Sequence, residues 1–199
     1  AFETIVIREI RRFGRIWLQT LVPPAITIGL YFVIFGNLVG RRIGEMGGFQ
    51  YMEFIVPGLI MMAVIQNSYS NVVSSFFSHK FQHSVEELLV SPVPNYVILC
   101  GFIVGGMARG LAVGTIVTFI SLIFADLEIQ NLFITITVVL LTSIVFALAG
   151  FINALFANSF DDISIIPTFV LTPLIYLGGV FYSVELLPPF WKFVSSLNP

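Results

Sequence analysis

Charge is what this chain has least of: 10% of its 199 residues are Asp, Glu, Lys or Arg, 57% are hydrophobic, and the mean hydropathy is +0.99. A soluble domain carries about a quarter charged residues, so this chain cannot cover a surface in water and the bilayer is its natural solvent. A single cysteine, Cys100, excludes an internal disulfide framework and any cysteine-based metal cluster. No Gly-x-x-x-x-Gly-Lys-Ser/Thr run occurs, so no P-loop in this sequence cradles nucleotide phosphates. Net charge is −2 with no basic tract beyond the first fifteen residues, which gives nucleic acid nothing to bind. Those fifteen residues are amphipathic rather than apolar and do not read as a cleavable signal peptide. His79 and His83 have the i, i+4 spacing of a metal pair. No cysteine or completing acid accompanies them, so a solvated juxtamembrane face is the simpler reading. No clustered His, Asp or Ser constellation suggests a membrane-embedded enzyme.

What is present is apolar and helical. Residues 2–17 read as an amphipathic helix, with Phe2, Val6, Ile10, Phe13 and Trp17 on one face and Arg8, Arg11, Arg12 and Arg15 on another. That pattern suits a helix lying in the membrane interface, against membrane lipid. Five spans follow, at 18–38, 54–77, 96–124, 132–157 and 163–181. Pro23 and Pro24 fall near the start of the first, where a lost amide costs least. Arg41 and Arg42 lie in the Gly-rich connection after it, and Asp126 and Glu128 in the loop after the third. Gly101, Gly105, Gly106, Gly110 and Gly114 thread the third span, a spacing that lets helix backbones approach closely. Residues 184–197, broken by Pro188 and Pro189 and carrying Phe190 and Trp191, read as a re-entrant or interfacial segment. The sequence starts at Ala1 without methionine and stops at Pro199, so an incomplete reading frame lacking a sixth span is expected.

Basic residues set the orientation. With the N-terminus inside, Arg8, Arg11, Arg12, Arg15 and Lys80 are cytoplasmic, and Arg41, Arg42 and Lys192 are outside. The polar insert "HSVEELLVSPVP", His83 to Pro94, is then cytoplasmic. Ser84 and Glu87 fit a capping box, Glu86 and Glu87 suit a helix N-terminus, and Pro92 and Pro94 end the helix over 84–91. Two turns are marginal alone in water. Val85, Leu88 and Leu89 are expected to need a surface, either a protein partner or the headgroup layer.

This stretch, between a second and third span, resembles the cytoplasmic coupling helix of ABC-2 type permeases, the membrane subunits of type V ABC exporters. "EELLVSPV" is similar to the family's acid followed by Leu-Leu-x-x-Pro. "YMEFIVPGLIMM" opening the second span, "FDDIS" before the fifth and "TPLIYLGGVFYS" closing it match in order along the whole chain. The resemblance implies an all-α polytopic membrane protein, a bacterial inner-membrane exporter subunit with six spans, of which five are visible here. It implies that the insert docks into a cleft on a separate ATPase, with Val85, Leu88, Leu89 and Pro92 seated in the cleft and Glu86 and Glu87 at its rim. The N-terminal helix resembles the family's connector helix, which also touches the ATPase. Implied partners are two copies of that ATPase and a second permease subunit in a homodimer. This chain itself needs no cofactor, Mg-ATP belonging to the partner. The aromatic and aliphatic spans suggest an amphipathic or hydrophobic substrate such as a drug, lipid or lipid-linked saccharide.

Several residues stand apart. Arg109 lies deep in the third span, where a charge is costly and calls for a partner or a function. Pairing with Glu53, a helix-dipole contact and substrate binding all remain open. Gln66, Asn67, Ser68, Ser70 and Asn71 make the second span polar, for interhelical bonding or a substrate pathway. Asp161 and Asp162 are expected to N-cap the fifth span. The rival to an exporter subunit is an ATP-independent channel or carrier gated by an Arg109–Glu53 pair.

Overall fold

A computed structural model describes residues 1–40, 45, 46, 48–125 and 131–198, without the side chains of residues 36–39 and 45. Arg41, Arg42, Asp126 and Glu128 lie outside the described residues.

Helix α1 (Phe2–Arg15) and helix α2 (Trp17–Tyr31) are separated by one non-helical residue, Ile16 (φ −110°, ψ 35°), and α2 runs on as a π-helical segment, Phe32–Val39. Because α2 begins at Trp17, Pro23 and Pro24 sit in its second turn rather than its first. A cavity of about 200 Å³ opens beside them, walled by Thr27 and, across from it, Gln66 and Asn67. A small antiparallel ribbon, Glu45–Met46 with Phe49–Gln50, leads into helix α3 (Tyr51–Phe81). Helix α4 (Ser84–Val90) is the insert, and helix α5 (Asn95–Ser121) and helix α6 (Leu132–Phe156) follow.

The 31-residue α3 is the axis of the molecule, about 46 Å long by its rise per residue. Ile55, Val56, Leu59, Val64, Val72 and Phe77 on it are sealed from solvent, packed between α5 and α6. What lets α5 come so close is absence of side chains. Glycines four apart share a helix face, and α5 carries two such rows. Gly101 and Gly105 receive α1; a Cβ at 105 would lie 2.6 Å from Glu9 Cβ. Gly106 and Gly110 receive α3 at Val72 and Ser68. On α6, Gly150 abuts the Tyr69 backbone oxygen, 2.6 Å from where a Cβ would be. Beside it Asn153 Nδ2 donates to Tyr69 Oη at 2.7 Å. The C-terminus of α6 is closed by a cation: Lys80 Nζ donates to the carbonyls of Leu155 and Ala157, each at 2.7 Å.

Beyond a tight turn, helix α7 (Asp162–Ile166), a π-helical segment (Pro167–Leu171) and helix α8 (Thr172–Leu177) form one interrupted apolar rod. Pro167 and Pro173 each remove an amide from the ladder, and the wider π turn falls between them, with Thr172 Oγ1 donating to Pro167 O. The chain then doubles back. Helix α9 (Pro189–Ser196) is tied to the end of α8 by Ser195 Oγ to Leu177 O (2.6 Å) and Asn198 Nδ2 to Leu174 O (2.7 Å).

Among the described residues three helices are long and apolar enough to cross a membrane: Trp17–Phe35, Asn95–Ser121 and Leu132–Phe156. Of the other two expected crossings, α3 is longer but polar through its second half, and Asp162–Leu177 is a shorter apolar helix.

Candidate functional site

The start of α4 is made differently from the capping box that its sequence suggests. His83, at φ 58°, takes the N-cap position in a left-handed turn. Ser84 faces back instead of forward: its Oγ donates to His79 O at 3.1 Å and lies 2.8 Å from His79 Nδ1. The left-handed turn is what redirects Ser84, so the helix entry is fixed by α3 rather than by Glu87. His83 Nδ1 meets Glu86 Oε1 at 3.0 Å, an exposed pair of small energetic weight. The helix stops as expected before Pro92, with Ser91 extended (φ −66°, ψ 151°) and its Oγ donating to Leu88 O.

The insert's faces also differ from expectation. Val85 and Leu88 are half-buried and pack on the bundle core, which leaves them less exposed to a partner than Leu89. The bare face is Glu86, Glu87, Leu89 and Val90, with Leu89 57% and Val90 87% exposed, and Pro92 beside it. The sequence reading passed over Val90. Its only signal there is a phase one residue beyond Leu89, on the side away from Val85 and Leu88. Beneath α4 lies a cavity of about 430 Å³ with apolar walls from Phe76, Leu88, Ile98, Phe151 and Leu155. A second cavity, about 290 Å³, separates Ala1, Thr4 and Arg8 of the N-terminal segment from Leu88 and Val93.

In α1 the face buried against the protein is Ile5, Glu9 and Phe13; of the expected lipid-facing stripe, Phe2, Ile10 and Trp17 are exposed and Phe13 is buried. Ile5 opposes Gly101 and Glu9 opposes Gly105, one turn on each helix, so α1 runs alongside α5 in the same direction. Glu9 is completely buried. Its Oε2 accepts from Ser75 Oγ at 2.7 Å and from Arg12 Nε at 3.3 Å. Arg12 Nη2 in turn donates to Asn71 Oδ1 (2.8 Å) and Asn71 O (3.1 Å). The expected basic stripe is therefore split. Arg12 is drawn into the protein and Arg8 stands over the Phe102 ring at 5.9 Å, while Arg11 and Arg15 stay exposed. Glu9 was missed because it is one acid among four arginines; the signal was its place on the Ile5–Phe13 face.

The polar patch of α3 is largely internal. Asn67, Ser68 and Asn71 are buried, Gln66 and Ser70 half-buried, and Asn67 Nδ2 donates to Ala63 O at 2.9 Å. The structure does not bring Arg109 to Glu53. Glu53 closes the start of α3, accepting from Gln50 N–H at 3.3 Å. Gly110, next to Arg109, packs on Ser68, fifteen residues further along α3, or roughly 22 Å. The Asp162 carboxylate caps the turn before it rather than the helix after it, accepting from Asn158 N–H (2.9 Å) and Ser159 N–H (3.0 Å). Those contacts, Asn158 foremost, hold its carboxyl below the ordinary aspartate range. Asp161 makes no side-chain cap. Among the described residues no three His, Cys, Asp or Glu side chains gather as metal ligands.

The whole chain, residues 1–199, matches the family model described as ABC-2 type transporter. It is 62% identical over 200 residues to the inner membrane transport permease YadH of Escherichia coli (strain K12), covering 100% of this chain and 78% of that protein. Nodulation protein J of Neorhizobium galegae is 24% identical over 185 residues, 89% of this chain and 71% of that protein. Nodulation protein J of Rhizobium meliloti (strain 1021) is 23% identical over 171 residues, 85% and 65% respectively. No solved structure matches.

Proposed function

The chain belongs to the ABC-2 type transporter family, and from that premise we propose that it is the permease subunit of an ATP-driven exporter of the bacterial inner membrane, moved by a separate ATPase acting on α4. One observation carries the reading. Helix α4 is seated on the bundle through Val85 and Leu88 and leaves Glu86, Glu87, Leu89 and Val90 bare. A two-turn helix with an exposed apolar pair and two exposed carboxylates suits a cleft with basic groups at its rim. Lying instead on an anionic inner leaflet would set Glu86 and Glu87 against like charge. The inner membrane is supported by the name of the Escherichia coli relative, an inner membrane transport permease.

In this reading the N-terminus is cytoplasmic, two such chains form the pathway as a homodimer, and two ATPase copies close on ATP. The helices α2, α3, α5, α6 and the α7–α8 rod would then make five crossings. Closure of the ATPases pushes α4, and the push reaches α3 through the His79–Ser84 contact and α5 through Pro92 and Pro94. The substrate class that suits these apolar spans is amphipathic or hydrophobic. The rival, a self-gated channel or carrier, is the weaker reading, since Arg109 lies beside Gly110, which packs on Ser68, fifteen residues along α3 from Glu53.

The test is a mild-detergent pull-down of the full-length protein, with mass spectrometry of what accompanies it. Leu89→Asp with Val90→Asp strikes the bare face and spares the Val85 and Leu88 contacts. An ATPase carrying a P-loop should accompany the unmutated protein and be lost from the double variant. Retention by the double variant, or no ATPase at all with an intact permease, would reject the reading.

A further inference from the structure

Arg109, half-buried and well inside α5, has no partner among the described residues. It makes no hydrogen bond among the described residues, and its Nε is buried and unsatisfied. The charge acting on it is Arg12, of the same sign, and Arg12 is already engaged by Glu9 and Asn71. Around it the unmet groups are mostly donors. Ser68, fully buried against Gly110 beside Arg109, has an unpartnered Oγ, and Asn71, also fully buried one turn along the same face of α3, has an unpartnered Nδ2. The unmet acceptor nearby is Glu9 Oε1, held on the α1 side by the Ser75 and Arg12 bonds of its carboxylate. Glu9, Arg12 and Arg109 together leave one positive charge uncompensated. A half-buried charge and buried orphan donors are each costly, and a charge inside a membrane protein ordinarily marks a functional partner.

We propose that the α3–α5 seam beside the end of α1 binds an anionic, phosphate-type group. Arg109 presents its planar fork to two oxygens, and Ser68 and Asn71 donate from α3. Glycine at 110 gives Ser68 its place in the seam, since any side chain there would occupy the position of Ser68 Oγ. The ligand is the phosphoryl headgroup of an amphiphile or a free phosphate ion; that the headgroup belongs to a transported substrate rests on the exporter reading, whereas binding does not.

The experiment is thermal melting of the full-length protein in neutral detergent, without any ATPase, against three probes: lysophosphatidic acid, monoacylglycerol of the same chain length, and inorganic phosphate. Lysophosphatidic acid should raise the melting temperature saturably while monoacylglycerol does not. Arg109→Gln should weaken that binding on the order of tenfold or more and Ser68→Ala about threefold, as expected for losing bonds to a charged group. Arg109→Lys, which keeps the charge but loses the fork, should fall between and serves if Arg109→Gln does not fold. A shift with inorganic phosphate that depends equally on Arg109 would also support the site and name the free ion as its ligand. Equal shifts from monoacylglycerol, no shift from either phosphate, or undiminished binding by both Arg109 variants would overturn the proposal.

Discussion

Replacing Glu9 by alanine should loosen the N-terminal helix more than any change at its arginines. The carboxylate is sealed from solvent and accepts from Ser75 Oγ at 2.7 Å and Arg12 Nε at 3.3 Å. A hydrogen bond to a charged group contributes about 1.5–3 kcal/mol. Breaking a fully buried ion pair costs about 3–5 kcal/mol, mostly through the charge left behind. Arg12 keeps 32% of its side chain in contact with solvent and retains Asn71, so part of that penalty is relieved. The net loss is then about 2–4 kcal/mol, between the two limits. For a chain of this size that is a drop of about 5–15 °C in melting temperature, measured in detergent. Trypsin should also cut α1 at Arg11 faster, because α1 leaves α5. Arg8→Gln is the control: Arg8 lies 4.0 Å from the same carboxylate with 41% of its side chain exposed, and its loss should cost under about 1 kcal/mol. If Glu9→Ala melts and digests like Arg8→Gln, the seating of α1 on α5 is wrong.

Glycine substitutions should split by surroundings when melting temperatures are compared. Gly150→Ala sets a Cβ 2.6 Å from the Tyr69 backbone oxygen, which cannot yield, and should destabilise by about 1–3 kcal/mol. Gly29→Ala meets nothing within 4 Å in a helix interior and should stabilise by about 0.5–1 kcal/mol. Lys80→Met removes both donors from the end of α6 and should cost about 1–2 kcal/mol, read as faster amide exchange in the last turn before Ala157. Asn153→Leu unpairs the buried Tyr69 hydroxyl and should cost about 2–3 kcal/mol; Tyr69→Phe in the same background should recover part of it, read by chemical or thermal melting.

Long apolar runs made the helical, membrane-embedded class legible, because lipid leaves the backbone few alternatives. The end of α4 was legible in Pro92 and Pro94, whose effect on the residue before is local, and the glycines of α5 announced close packing without saying against what. What stayed hidden was set by distant partners. Ser84 reads as a cap until His83 turns left-handed and points it at His79. Val85, Leu88 and Leu89 read as one apolar set, and only the position of the bundle divides them. Glu9 is invisible among arginines until Ser75, 66 residues away, comes to meet it. Arg109 suggested Glu53 as a partner since composition shows which charges exist, not at what level of the bundle each one falls.

The separation between Glu9 and its partners also dictates an order of assembly. Residues 71 to 75 must leave the ribosome before Arg12 and Glu9 have anything to bind, and Gly105 must follow before α1 has a bed to lie in. Until residue 105 has been synthesised, α1 waits with its acid and arginines hydrated. Its docking therefore follows the synthesis of α3 and the first half of α5, and a nascent chain halted before Gly105 should leave α1 open to protease.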